Sequence, residues 1–249
     1  MDVCFKRDYS ERADFFYQRA VMEYRQFAML EGPFVPAPSS DGDEMALILL
    51  HGWGADGRDL ADLSAPLQAE LPHVSLFTPH APYPCSANPM GRQWFELSEQ
   101  FLENPASALA EIDKVAQLID EMIEAMMAEL SLARHQIVIG GFSQGGMMTL
   151  HLATAQAANS DQKLAGYASI AGALMAPDRL MPCGHAPAPI WLAHGQMDQV
   201  VPIDAFHKAQ SAFIDKGYDL SVCVRPMMAH SIDMQTIESL VRFIKKVSV

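Results

Sequence analysis

Ser143 stands between glycines in the run Gly141-Phe142-Ser143-Gln144-Gly145, after the apolar residues Ile137, Val138 and Ile139 and before a segment, 146–158, that reads as a helix. That places a hydroxyl on a sharp strand-to-helix turn, where flanking residues without a Cβ relieve the crowding and leave the side chain clear of the backbone. A serine hydroxyl is a poor nucleophile at neutral pH, so chemistry at Ser143 requires a base, and the base requires a group to orient it. Both are present further along. Asp198 lies in His194-Gly195-Gln196-Met197-Asp198-Gln199-Val200-Val201-Pro202, just past the apolar run 189–193, and is the candidate orienting carboxylate. His230 lies in Met227-Met228-Ala229-His230-Ser231, just past the strand-like run 220–225, and is the candidate base. The chemistry these three residue types support together is acyl transfer through a covalent serine intermediate.

Such a reaction also needs donors for the oxyanion of its tetrahedral intermediate. One is the backbone N–H of Gln144, directly after the nucleophile at a helix N-terminus, where the dipole favours negative charge. The other is expected from the loop after an early strand, and the run Leu49-Leu50-His51-Gly52-Trp53-Gly54 assigns it to the backbone N–H of Trp53. The chain order Ser143, Asp198, His230 is that of the α/β-hydrolases, and each residue follows the carboxyl end of an expected strand, where open parallel sheets place their sites.

The elements that must position these residues alternate from Met45 onward. Strands are expected over 46–51, 74–78, 136–141, 165–170, 189–194 and 220–225, with helices over 105–130, 203–216 and 231–246. Asn104 and Pro105 supply a cap and a first position for the long helix. The fold class is therefore α/β, an α/β-hydrolase with a mainly parallel central sheet and helices on both faces. Before it, Phe16, Ala20, Tyr24 and Phe27 recur at helical spacing, and Gly32-Pro33 reads as a stop. This predicts an N-terminal helical extension over 1–32 ahead of a hydrolase domain over 33–249. The extension would cover the sheet, cap the pocket or form a homodimer contact. The irregular connection 79–103 is expected to wall the substrate pocket with Trp94 and Phe95, and Met147 and Met228 are candidate pocket residues beside Ser143 and His230.

Four separated segments carry a family resemblance: Leu50-His51-Gly52-Trp53-Gly54-Ala55-Asp56-Gly57, Gly141-Phe142-Ser143-Gln144-Gly145-Gly146, the His194-Gly195-x-x-Asp198-x-x-Val201-Pro202 block and the turn at His230. Together they resemble the phospholipase/carboxylesterase family, which includes acyl-protein thioesterases and small bacterial carboxylesterases, and the likeness runs from about Ala46 to the C-terminus. The resemblance implies a serine hydrolase of carboxylic esters or thioesters and supports Trp53 and Gln144 as oxyanion donors. This chain has Trp53 where the family often has leucine or phenylalanine, and Trp94-Phe95-Glu96 where the family has Trp-Tyr/Phe-Asp. Short- to medium-chain esters are the expected substrates, with thioesters and lysophospholipids as the alternatives.

The remaining signals bound the reading. The formal charge of −13 disfavours nucleic acid and anionic membrane surfaces as partners. Cys4, Cys85, Cys183 and Cys223 show no metal-like spacing and read as free thiols. No apolar run reaches the roughly 20 residues that span a bilayer, and no signal peptide is recognisable, so no stable membrane insertion and a cytoplasmic location are expected. The expected chemistry involves no metal and no organic cofactor. Two readings from other classes compete. The run Gly52-Trp53-Gly54-Ala55-Asp56-Gly57 matches a dinucleotide-binding pattern, but the position that should carry an acidic residue about 20 residues on falls in Phe77-Thr78-Pro79-His80. A hydrolase fold kept as a silent binding protein is the other, and such proteins commonly lack a triad member. His51 and His194, each before a glycine at a strand end, are expected to hold their turns, and His80 is expected to be a loop residue.

Overall fold

Six consecutive apolar residues, Met45–Leu50, form strand β3 in the computed structural model, which describes residues 22–39, 44–156, 163–182 and 187–248. A run without polar alternation suits a strand covered on both faces. Ala46, Ile48 and Leu50 enter one apolar cluster, while Met45, Leu47 and Leu49 enter a second on the opposite face. The same division continues across the sheet, with Ile137, Ile139, Ile190 and Leu192 on the first side and Val138, Trp191 and Ala193 on the second.

Among the described residues the ten strands in chain order are β1 (Glu23–Phe27), β2 (Leu30–Val35), β3, β4 (Val74–Phe77), β5 (Tyr83–Pro84), β6 (Arg92–Gln93), β7 (Ile137–Phe142), β8 (Gly166–Ile170), β9 (Ile190–Gly195) and β10 (Leu220–Arg225). Eight of them form one sheet in the order β1-β2-β4-β3-β7-β8-β9-β10, and β5 and β6 make a small separate ribbon. From β4 to β10 every neighbouring pair is parallel. The helices are α1 (Arg58–Ala61), α2 (Ser64–Gln68), α3 (Glu99–Glu103), α4 (Leu109–Leu130), α5 (Gln144–Gln156), α6 (Asp204–Asp215) and α7 (Met234–Val247). Helix α4 buries Ile112, Val115, Ile119, Met122, Ile123 and Met126, a stripe at helical spacing that packs with residues of α5 and α6 into the first cluster. Helices α1, α2 and α7 supply Leu60, Leu67, Ile237, Leu240 and Ile244 to the second. Asp233 caps α7 by accepting from the Thr236 N–H at 2.8 Å.

The six strands expected from Met45 onward are all present, within a residue or two of their expected ends. Three expectations need correction. The helical extension expected over 1–32 is not helical in its described part: Glu23–Phe27 and Leu30–Val35 are the antiparallel strands β1 and β2, and β2 extends the sheet through Phe34↔Phe77 and Val35↔Leu76. Residues 1–21 lie outside the described residues. The spacing of Tyr24 and Phe27 resembled a helical face, but Phe27 and Leu30 instead flank a turn, at Ala28 with φ 52°, and both are buried. Gly32 is therefore no stop signal; it lies within β2, pressed against the Thr78–Pro79 backbone. The long helix begins at Leu109, not at Pro105, because Ser98 caps the short α3 and the chain passes through a 3₁₀ turn, Pro105–Ala108, before α4.

A tight seam lies where α5 starts. A Cβ on Gly145 would sit 2.0 Å from the Leu50 carbonyl oxygen, so the start of α5 rests directly on the end of β3. The substitution Gly145→Ala is expected to destabilise the protein by about 1 to 3 kcal/mol, the usual cost of overpacking, and urea denaturation of the variant beside the parent measures it.

Candidate active site

Because β3, β7, β9 and β10 run parallel, their carboxyl ends share one edge of the sheet, and the loops leaving that edge carry Trp53, Ser143, Asp198 and His230 in turn. Ser143 follows β7 at φ 55°, a left-handed conformation uncommon for a residue with a Cβ. The surroundings over-determine that conformation. The Ser143 N–H donates to the Ile170 carbonyl at 2.8 Å, its carbonyl accepts from Met147 at 2.9 Å, and Gly141 and Gly145 are in backbone contact across the turn. Such strain held by rigid neighbours is typical of functional turns.

Asp198 and His230 are brought together directly. The Asp198 side chain is fully buried, and its Oδ2 lies 2.7 Å from His230 Nδ1. Its Oδ1 accepts the backbone N–H groups of Val200 and Val201 at 2.8 and 2.9 Å. A carboxylate only accepts, so His230 carries its proton on Nδ1 and leaves Nε2 free to take another. The loops bearing the two residues are tied as well: Met197 donates to the Met228 carbonyl at 3.0 Å, and a Cβ on Gly195 would lie 2.1 Å from that same oxygen. The His230 ring packs 4.7 Å from that of Phe142, the residue before Ser143. Among the described residues no hydrogen bond joins Ser143 to His230; catalytic contacts of this kind often close only around substrate.

The expected oxyanion donors lie beside the serine. A Cβ on Gly52 would lie 3.4 Å from the Ser143 Cβ, so the loop that carries Trp53 runs beside the serine, and Gln144 is the first residue of α5. Among the described residues neither backbone N–H, of Trp53 or of Gln144, donates to a protein acceptor. The Gln144 side chain, which sequence reasoning passed over, has a separate role: its Oε1 accepts from the Trp94 N–H at 2.9 Å and its Nε2 donates to the Phe95 carbonyl at 2.7 Å. A buried amide beside two aromatics leaves no periodic mark in the sequence, so only its polarity in an apolar stretch hinted at this.

The pocket assignments are partly overturned. Trp94 and Phe95 are both 0% exposed, so they belong to the core and do not line the pocket. The segment around them holds a ribbon and a helix, and Trp94 Nε1 donates to the His51 carbonyl at 2.9 Å, bracing the Trp53 loop. Met228 is also buried, with its sulfur accepting from Thr236. Met147 is partly buried, one turn into α5 from Ser143. An open depression of about 430 Å³ lies beside the Gly54–Ala55 loop, lined by Asp56, Arg58, Asp59, Asp62 and Met90, and includes neither Ser143 nor His230.

His51, His80 and His194 hold turns. His194 Nε2 donates to the Val201 carbonyl at 2.7 Å. His80 Nδ1 accepts from the Gly57 N–H at 3.0 Å. His51 Nδ1 donates to the Gly52 carbonyl at 2.8 Å and its Nε2 accepts from the Ala81 N–H at 3.0 Å, which only the neutral ring can do. Cys85 and Cys223 are free thiols, whereas Cys4 and Cys183 lie outside the described residues.

Comparison with known proteins agrees with this fold. The phospholipase/carboxylesterase family model matches residues 31–248. The chain belongs to that family. Acyl-protein thioesterase 1 of Saccharomyces cerevisiae is 29% identical over 216 residues, covering 80% of this chain and 91% of the yeast protein. The esterase PE8 superposes with a TM-score of 0.77 at 29% identity, covering 88% of this chain and 99% of that one. SOBER1 of Arabidopsis thaliana shares the fold at a TM-score of 0.66 and 24% identity, over 82% of this chain and 99% of its own. Like the family, the chain is an α/β-hydrolase; among its described residues no helix is long and apolar enough to cross a membrane.

The His51 contacts give a pH prediction. Burial, only partly offset by the Gly52 carbonyl, lowers its pKa from 6.5 to about 4. Between those values the unfolded chain binds the extra proton and the folded one does not, so stability is complete above about pH 6.5 and falls as pH drops towards 4. The loss is on the order of 3 kcal/mol for this ring. Denaturation across that pH range should show a shallower decline for His51→Gln than for the parent; equal slopes would contradict the assignment.

Proposed function

We propose that this protein hydrolyses short- to medium-chain carboxylic esters through an acyl-enzyme on Ser143. The observation that carries the reading is the 2.7 Å contact between His230 and the buried Asp198, on the same sheet edge as the strained serine. His230 Nε2 takes the proton of Ser143 Oγ as that oxygen attacks the carbonyl carbon, and Asp198 stabilises the imidazolium that results. The amides of Trp53 and Gln144 receive the developing oxyanion, aided by the start of α5. When the intermediate collapses, the bond to the leaving alcohol breaks and His230 protonates the departing oxygen. Water then enters, gives its proton to His230 and attacks the acyl carbon. The second collapse returns the proton to Ser143 and releases the acid.

The same steps serve a thioester, whose leaving group is a thiol. The yeast relative's name favours that second reading; the esterase PE8 favours the first. A p-nitrophenyl ester series run beside a thioester and a lysophospholipid ranks the three by kcat/KM.

Two variants test the chemistry. Ser143→Ala should reduce kcat on p-nitrophenyl acetate by roughly 10⁴- to 10⁶-fold, and Asp198→Asn by about 10⁴-fold, with KM changed far less. A folded Ser143→Ala protein that keeps near-parental turnover would remove Ser143 from the mechanism, whereas a folded parent without turnover would leave a hydrolase fold used for binding.

A further inference from the structure

A second chain of polar contacts ends at the oxyanion loop. Trp53 Nε1 donates to Gln93 Oε1 at 2.8 Å, Gln93 Nε2 donates to Glu96 Oε2 at 2.7 Å, and Ser86 Oγ donates to Glu96 Oε1 at 2.7 Å. The direction of this chain is dictated by chemistry. A carboxylate only accepts, so Glu96 compels the Gln93 amide to turn its NH₂ inward and its oxygen outward, and that oxygen is what an indole N–H requires. Gln93 is 5% exposed, which gives its amide little room to turn otherwise. Trp53, whose indole it holds, is 37% exposed and follows Gly52, where a Cβ would lie 3.4 Å from the Ser143 Cβ.

The Trp53 backbone is held by different bonds. Gly54 donates to the Arg92 carbonyl at 3.0 Å, Arg92 donates to the Ala55 carbonyl at 2.7 Å, and Asn88 Nδ2 donates to the Gly54 carbonyl at 2.8 Å. Main-chain ties thus set the amide, and the Gln93–Glu96 pair sets the side chain. An untethered indole on an exposed loop would sample several rotamers, whereas a tethered one is held in a single orientation.

We propose that Gln93 and Glu96 are specificity-determining positioning residues, which hold the Trp53 indole as a rigid wall and restrict the acyl portion that the site accepts. The proposal rests on Ser143 being the nucleophile. It assigns selectivity to two residues that need not touch substrate.

The test measures kcat and KM for p-nitrophenyl acetate through dodecanoate with the parent, Glu96→Gln, Trp53→Phe and the double variant. Fluorophosphonate labelling counts competent Ser143 in each sample. In Glu96→Gln, kcat/KM for octanoate relative to acetate should rise about five- to tenfold, the size of discrimination a few methylenes carry, through KM more than kcat. Trp53→Phe removes the indole N–H, so adding Glu96→Gln to it should change the profile no further. Acrylamide quenching gives an independent readout, since Trp94 and Trp191 are 0% and 1% exposed and Trp53 is the accessible indole; quenching should increase in Glu96→Gln. A labelled, folded Glu96→Gln with the parental profile and quenching would overturn the proposal alone. So would a shift that persists in full in the Trp53→Phe background. Failure of the folded parent to label would instead overturn the nucleophile assignment, and this proposal with it.

Discussion

A buried carboxylate must have its charge met by nearby donors, and the Asp198 side chain, fully buried, meets that demand with two backbone N–H groups and the His230 ring. Removing an ion from water costs several kcal/mol unless its lone pairs are satisfied. Among the described residues no lysine or arginine pairs with Asp198. The turn over 198–201 and the orientation of His230 are therefore parts of one electrostatic solution. Turning the imidazole away would leave Oδ2 without its shortest contact, with only His194 nearby at 3.4 Å. The same constraint selects the His230 tautomer and so determines which nitrogen faces solvent and substrate.

The parallel sheet makes this local solution useful. Asp198 and His230 leave neighbouring strands, β9 and β10, while Ser143 and Trp53 leave the neighbouring β7 and β3, and β8 lies between the two pairs. The seam between Gly145 and Leu50 locks the serine turn to the Trp53 loop. Above it, the segment from Arg92 to Phe95 braces both, meeting Gln144 through backbone groups of Trp94 and Phe95 and the Trp53 loop through Arg92, Gln93 and the Trp94 indole. Two residues whose side chains are buried thus stabilise the shape of the candidate oxyanion site, through their backbone groups and the Trp94 indole.

Much of the parallel sheet was legible in the sequence because runs such as 45–50 and 190–193 are apolar without interruption, as burial on two faces requires. Ser143, Asp198 and His230 were legible because each sits in a turn whose neighbours only that turn explains. The β1–β2 hairpin was not. Tyr24 and Phe27 fit a helical period, and what decides between helix and strand there is pairing with β4, which local spacing cannot carry. Trp94 and Phe95 were misread for a related reason: aromatic residues in an irregular segment suggest a pocket wall, yet their burial follows from contacts with residues some 43 to 50 positions away. The Gln93–Glu96 pair was invisible for the same cause, since its partner Trp53 is 40 residues distant.

The central claim is spatial: a hydroxyl, an imidazole and two amides surround a single reacting carbon. A crystal structure of the protein inactivated with a phosphonate ester tests it most directly, because the tetrahedral phosphorus imitates that carbon. The account predicts phosphorus bonded to Ser143 Oγ, one phosphoryl oxygen about 3 Å from the Trp53 and Gln144 nitrogens, and the His230 ring beside Oγ with Asp198 behind it. Phosphorus on another residue, or on Ser143 with its oxygens in solvent and His230 turned away, would contradict it.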